Sequence, residues 1–147
     1  MSLLDRIRHG TYTADPSVAF DSLTGRSVSL TETAMRISQG EDVLPAVRDF
    51  LDQVSRRDQV ELAELIRECP APSGSAKADA LLAGAAEHLA AVKSLPCPGW
   101  VRDPERFLDS FWFVSDVPGF RATALAQTPI ALKRRGIFWP TRSLERV

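Results

Sequence analysis

Apolar side chains recur at helical spacing between residues 43 and 54, and this regularity constrains the fold more than any other feature. The steps between successive apolar residues are one, three, three, one and three, which places them on one face of a helix. A proline in the first turn costs little there, because its missing N–H needs no helical partner. A one-sided helix must bury its apolar face against neighbours, so the chain is predicted to be mainly helical. The six residues of the stripe are Val43, Leu44, Val47, Phe50, Leu51 and Val54.

Three further helices are predicted around this one, and together they give a small helical bundle over residues 30–94. Residues 31–38 form a short helix that ends before Gly40, a residue common just beyond helix ends. Asp58 is predicted to cap the next helix, with Glu61 three residues on, before a stop at Pro70. Its inward residues are predicted to be Val60, Ala63, Leu65 and Ile66. A break at residues 69–75 precedes an alanine-rich helix at 76–94, with Leu81, Leu82, Ala85, Ala86, Leu89 and Val92 facing the core.

Residues 95–147 are predicted to form a helical and irregular part that is rich in aromatic residues. Eight of the chain's eleven aromatic side chains lie between residues 100 and 139. Asp103 is predicted to cap a helix that begins at Pro104, and further helices are predicted at 120–126 and 128–135. Gly136 ends the last one, and residues 137–139 are predicted to be extended, which leaves room for one short strand. Residues 30–147 are expected to form a single domain behind a weakly ordered arm at 1–29.

Composition and charge exclude several classes of protein. The net charge is −1, which gives no general attraction to nucleic acid or to anionic membranes. Residues 102–147 are basic, with 8 cationic and 5 acidic side chains, and this charge suits an acidic surface or simply solvated positions. No secretory leader and no apolar stretch of membrane-spanning length is visible. Cys69 and Cys97 do not form a CxxC pair, so free thiols and a cytoplasmic location are expected.

The sequence offers no pattern that indicates catalysis, a cofactor or a bound metal. It contains no phosphate-binding glycine loop and no zinc-binding cysteine and histidine spacing. His88 follows Glu87 in a predicted helix, where a lone histidine is usually structural or solvated. Asp103, Asp109 and Asp116 are carboxylates of the kind that bind Mg²⁺, but helix capping and surface charge explain them better. The chain is therefore predicted not to be an enzyme.

The pairing of cations with aromatic residues near the C-terminus is the pattern most typical of a binding surface. Lys133, Arg134 and Arg135 are followed closely by Phe138 and Trp139. Such a pattern fits a protein interface, a nucleic-acid backbone with base stacking, or a core with helix-end cations. The second predicted helix carries three aspartates and one arginine, which disfavours a DNA-recognition helix. The predicted partner-binding residues are Trp100, Arg106, Phe107, Trp112, Phe120, Lys133, Arg134, Arg135, Phe138 and Trp139.

Two parts of the sequence resemble a known group of bacterial proteins. Residues 30–42 read LTETAMRISQGED and are followed by AVRDFL at 46–51. Residues 100–108 read WVRDPERFL, and residues 128–138 read TPIALKRRGIF. These segments resemble antitoxin-like proteins of high-G+C bacteria that are encoded beside nucleotidyltransferase-type toxins. The resemblance spans residues 30–147 and implies direct binding of a toxin enzyme, with no active site in this chain.

The predicted function is therefore protein binding, in the form of an antitoxin that neutralises a partner toxin enzyme. The alternative is a nucleic-acid-binding transcriptional regulator, which includes an antitoxin that also binds DNA to regulate its own operon. Such a regulator would bind DNA in a salt-dependent way, because phosphate contacts release counterions. A third hypothesis is an enzyme whose site is assembled from residues far apart in the sequence. The sequence leaves the oligomeric state open.

Overall fold

The computed structural model describes residues 29–115 and 117–140, and in this part of the chain it is mainly helical. The prediction of a mainly α fold is confirmed. The helices are α1 (Leu30–Ser38), α2 (Val43–Val54), α3 (Gln59–Arg67), α4 (Ala76–Val92), α5 (Arg121–Gln127) and α6 (Ile130–Lys133). Short 3-10 turns lie at Gly99–Arg102, Pro104–Arg106 and Pro118–Phe120. The predicted arm and the residues beyond 140 lie outside the described part.

The first two helices follow the sequence closely because local signals set their limits. The Ser29 hydroxyl caps α1 by accepting a hydrogen bond from the Glu32 amide at 3.1 Å. Gly40, two residues beyond the end of α1, has a φ of +105°, a conformation that glycine adopts without a steric penalty. In α2 the predicted stripe faces inward, with Val43 and Leu44 half-buried and the other four residues buried.

Helix α3 begins where it is predicted to begin, but the predicted burial of one of its residues is wrong. The Asp58 carboxylate accepts a hydrogen bond from the Glu61 amide at 2.9 Å, as a helix cap should. Val60 is 75% exposed, whereas Leu62 is buried with Leu65 and Ile66. Val60 and Leu62 are two positions apart, which corresponds to a rotation of about 200° around the helix axis. Because the buried face is centred on Leu62, Leu65 and Ile66, Val60 points to the opposite side.

Helix α4 is the central element, and α1, α6 and two 3-10 turns pack around it. Because its residues from 80 to 86 are all buried, the helix has no solvent-facing side in its middle. Its alanines and Gly84 permit this close packing from several directions. The predicted inward position of Val92 is wrong, since that side chain is exposed in the last turn of the helix.

Replacing Gly84 with alanine is expected to destabilise the protein by about 1–3 kcal/mol. A Cβ atom added at Gly84 would overlap the Leu132 Cδ2 atom, and Leu132 is fully buried in α6. The same substitution in an exposed helix normally stabilises it by about 1 kcal/mol, so the sign of the effect is diagnostic. Urea denaturation measures the change in the free energy of unfolding. In the Gly84→Ala background, Leu132→Ala is expected to cost less than it does alone.

The C-terminal part contains a strand pairing that the sequence did not predict. Strand β2 (Ile137–Phe138) confirms the expected extended segment, and it pairs in parallel with β1 (Trp112–Phe113). The helix predicted from Asp103 is wrong: the chain makes only a 3-10 turn and becomes extended at Phe107. The Asp103 side chain makes no capping hydrogen bond there. The helix predicted at 128–135 is shorter than expected: it ends at Lys133 and is followed by a turn at 134–136, in which Gly136 has a φ of +81°.

One hydrophobic cluster joins the helical bundle to the aromatic-rich part. It contains residues of α1 to α4 together with Val101, Leu132, Ile137 and Trp139. The first described residue of α1, Leu30, and the last strand therefore share a core. The two cysteines are free, with Cys69 exposed and Cys97 half-buried.

Candidate partner-binding groove

Arg135, a predicted partner contact, is completely buried and serves the interior of the protein. Its Nη1 atom donates to the Glu87 carboxylate at 2.5 Å and to the Ala131 carbonyl at 2.6 Å. Its Nη2 atom donates to the Val101 carbonyl, and the guanidinium lies 4.7 Å from the centre of the Phe107 ring. Burial lowers the pKa of Arg135 from its ordinary value, while the hydrogen bond and charge of Glu87 oppose this shift. The side chain therefore ties α4, α6 and a 3-10 turn together.

Arg106 is the second buried cation, at 3% exposure, and it holds the break between α3 and α4. Its Nη2 atom donates to the Pro70 carbonyl at 2.7 Å and to the Cys69 sulfur at 3.4 Å. Its Nη1 atom donates to the Asp79 carbonyl at 3.3 Å, and the guanidinium stacks 5.0 Å from the Trp100 ring. A residue of the aromatic-rich part thus satisfies polar groups that the proline-rich break leaves without helical partners.

Several of the other predicted contact residues also have partners within the chain. Trp100 is half-buried and donates its ring N–H to the Ile66 carbonyl at 3.1 Å. Arg134 is exposed and pairs with Glu87 at 3.2 Å. Phe107, Trp112 and Lys133 are half-buried. These contacts agree with the interpretation of the pattern as core and helix-end cations, and a role in partner binding stays a prediction for these residues.

An open groove of about 600 Å³ lies at the carboxyl ends of the two parallel strands. Residues 113–115 and 138–140 leave the sheet along its walls, α2 closes one side and α5 the other. The rings of Phe113 and Phe138 stack with their centroids 4.7 Å apart, which gives the groove an aromatic wall. The lining residues are Leu44, Arg48, Phe113, Val114, Ser115, Phe120, Thr123, Ala124, Phe138, Trp139 and Pro140.

The groove brings together three of the ten predicted contact residues: Phe120, Phe138 and Trp139. Phe138 and Trp139 are buried, while Phe120 is 53% exposed. The other seven predicted residues lie outside its lining. Sequence reasoning missed the groove residues Leu44, Arg48 and Phe113. The available signal was Arg48 itself, the one cation among the aspartates of the second helix.

Comparisons with known proteins do not place this site in a family. No protein-family model matches the chain, and no curated protein and no solved structure matches it. The shape, charge and exposed residues of the groove are therefore the observations on which a function can be proposed.

Within residues 29–115 and 117–140, no three histidine, cysteine, aspartate or glutamate side chains come close enough to hold a metal ion. Asp116 of the predicted carboxylate set lies outside these residues. Glu87, the neighbour of His88, accepts from Arg135 and pairs with Arg134. None of the helices in the described part has the length and apolar character needed to cross a membrane.

Proposed function

We propose that this chain is a non-catalytic protein-binding module of the cytoplasm that uses the groove to bind a partner protein. The observation that carries the proposal is Phe120, a large aromatic side chain held half in solvent beside an aromatic wall and a buried tryptophan. Interfaces concentrate their binding energy in such aromatic positions, where a partner side chain is fully desolvated. The strands and helices around the groove hold its shape before binding, which lowers the entropic cost of association.

The resemblance of residues 30–147 to antitoxin-like proteins gives the proposal a specific form. In that form the chain binds a toxin enzyme of the nucleotidyltransferase type and neutralises it. The decisive experiment is co-expression with the product of the adjacent gene, purification through a tag on one chain, and growth assays with each alone. A stable complex and a neighbour that is toxic only without this chain are expected. No complex together with no toxicity would contradict the antitoxin proposal.

Replacing Phe120 with alanine is expected to weaken the complex at least about 30-fold, which corresponds to a loss of about 2 kcal/mol at an interface centre. Leu125→Ala is the matched control. Leu125 lies on α5 and is half-exposed, as Phe120 is, but it does not line the groove. Both variants should keep the stability of the parent, since neither side chain is buried. Calorimetric titration of the purified partner gives the affinities. Equal weakening by the two variants would show that the groove is not the binding site.

The nucleic-acid-binding alternative loses support from the position of its predicted contacts. Arg135 has no exposed surface, and Arg134 is paired with a carboxylate that would compete with a phosphate. A titration of operator DNA across a salt series tests the alternative directly. A steep fall in affinity with salt would favour it, because each phosphate contact adds to the slope.

A further inference from the structure

One arginine lines the groove and a second lies beside it, each over an aromatic ring of the lining. The guanidinium of Arg48, from α2, lies 5.7 Å from the centre of the Trp139 ring. The guanidinium of Arg121, from α5, lies 5.2 Å from the centre of the Phe113 ring. Both arginines are exposed, and both rings line the groove. A guanidinium stacked on a ring still presents the N–H groups of its edge, so Arg48 in the lining and Arg121 beside Phe113 both offer oriented donors.

Among the residues that the structure describes, the lining of the groove carries positive charge only. None of the eleven described lining residues is acidic, and Arg48 is the one cation among them. Six other arginines of the described part pair with carboxylates, namely Arg36, Arg57, Arg67, Arg106, Arg134 and Arg135. Within the same part of the chain, Arg48 and Arg121 form no such pair. Among the described residues, no carboxylate therefore neutralises their charge.

We propose that the groove recognises an acidic amphipathic segment of the partner protein. A large apolar side chain of that segment packs between Phe120 and Trp139, and aspartate or glutamate residues on either side of it pair with Arg48 and Arg121. Carboxylates suit these donors because a guanidinium can bind one through two parallel hydrogen bonds. This inference rests on the proposed function, since it names the chemistry of the partner at the same groove.

The test is selection of binders from a displayed library of random twelve-residue peptides, with the full 147-residue chain immobilised. The selected peptides are expected to carry aspartate or glutamate beside a phenylalanine, tryptophan or leucine. Selection against the double variant Arg48→Glu/Arg121→Glu is expected to shift to peptides with lysine or arginine beside the apolar residue. Such a reversal requires a folded groove, so a variant that merely misfolds cannot produce it. Neutral or basic peptides from the parent chain, or no peptides at all, would overturn the proposal.

Single variants show whether Arg48 itself contributes to peptide affinity. Arg48→Glu is expected to weaken an acidic peptide from the parent selection at least about tenfold, since close interfacial charge pairs contribute strongly. Arg56→Glu, at an exposed position just after α2 and outside the groove, should leave the affinity unchanged. If Arg48→Glu and Arg56→Glu weaken binding equally, the effect comes from the overall charge of the protein and not from the groove, and the proposal is overturned.

A chain ending at Pro140 should bind as the parent does. If this shortened chain binds the peptide at least tenfold more tightly, the chain's own C-terminal residues compete for the groove, and the proposal is overturned.

The outcome is separable from that of the proposed function. If the neighbouring gene product binds and Phe120→Ala weakens it, but the selected peptides are not acidic, the partner proposal stands and the charge inference fails. If acidic peptides bind through Arg48 and the neighbouring gene product does not, the charge inference stands and that partner is wrong.

Discussion

Arg135→Ala is expected to lower the free energy of unfolding by about 3–5 kcal/mol, the range found when one partner of a buried ion pair is removed. The substitution leaves the buried carbonyls of Ala131 and Val101 without their donor and removes the closer of the two cations on Glu87. It also opens a cavity beside Phe107, over which the guanidinium is stacked. Urea denaturation followed by circular dichroism measures the loss. A stability change below 1 kcal/mol would contradict the structural role.

Arg134→Ala is the matched control for this prediction. Arg134 is the adjacent residue and pairs with the same carboxylate, but its side chain is 41% exposed. Exposed ion pairs contribute about 0–1 kcal/mol, so this variant should differ little from the parent. If Arg135 acted mainly as a surface contact for a partner, both variants would keep their stability and lose binding together. Arg135→Lys separates charge from geometry, because it keeps the cation but loses the planar fork.

Arg106→Ala is expected to cost about 3 kcal/mol, because hydrogen bonds from a charged donor contribute about 1.5–3 kcal/mol and this side chain makes several. The largest loss is at the Pro70 carbonyl, which lies in the break between α3 and α4 and accepts from Nη2 at 2.7 Å. Arg106→Met keeps most of the volume and the contact with Trp100, so it isolates the hydrogen bonds from the packing. Thermal or urea unfolding of both variants provides the measurement.

Arg102→Ala serves as the control for Arg106, because it removes an exposed arginine from the neighbouring 3-10 turn. It is expected to change stability by less than about 0.5 kcal/mol. Amide hydrogen exchange offers a second measurement, since loss of Arg106 should speed exchange around residues 70–76 before the rest of the bundle. Unchanged stability in both Arg106 variants would show that the break is held by other contacts.

The two buried arginines show why the sequence pattern fits both an interface and a core. Arginine, tryptophan and phenylalanine are enriched both at interfaces and in places where a cation stacks inside a protein. The sequence around Arg106 and Arg135 does not distinguish these cases. The deciding partners are distant: Arg135 bonds Glu87, 48 residues away, and Arg106 bonds Pro70, 36 residues away.

The groove also could not be predicted from local sequence, because its residues are far apart in the chain. Leu44 and Arg48 come from the second helix, whereas Phe113 is the last residue of β1 and Phe120 directly precedes α5. The parallel pairing of Trp112 with Ile137 and of Phe113 with Phe138 brings the two strand ends together, and the shared core places α2 beside them. Each strand has two residues, which is too short for a periodic pattern to reveal its pairing.

The sequence by itself determined the features that depend on residues three or four positions apart. These are the Asp58 cap, the glycine beyond α1, the stripe of α2 and the mainly helical class. Tertiary structure decided which cations are buried, which strand pairs with Ile137–Phe138 and where a groove remains open. The physical reason is that capping and periodicity are local interactions, while burial is set by the whole core. Arg135 and Arg48 illustrate the difference: both are arginines beside aromatic rings, but only Arg48 remains exposed for a partner to reach.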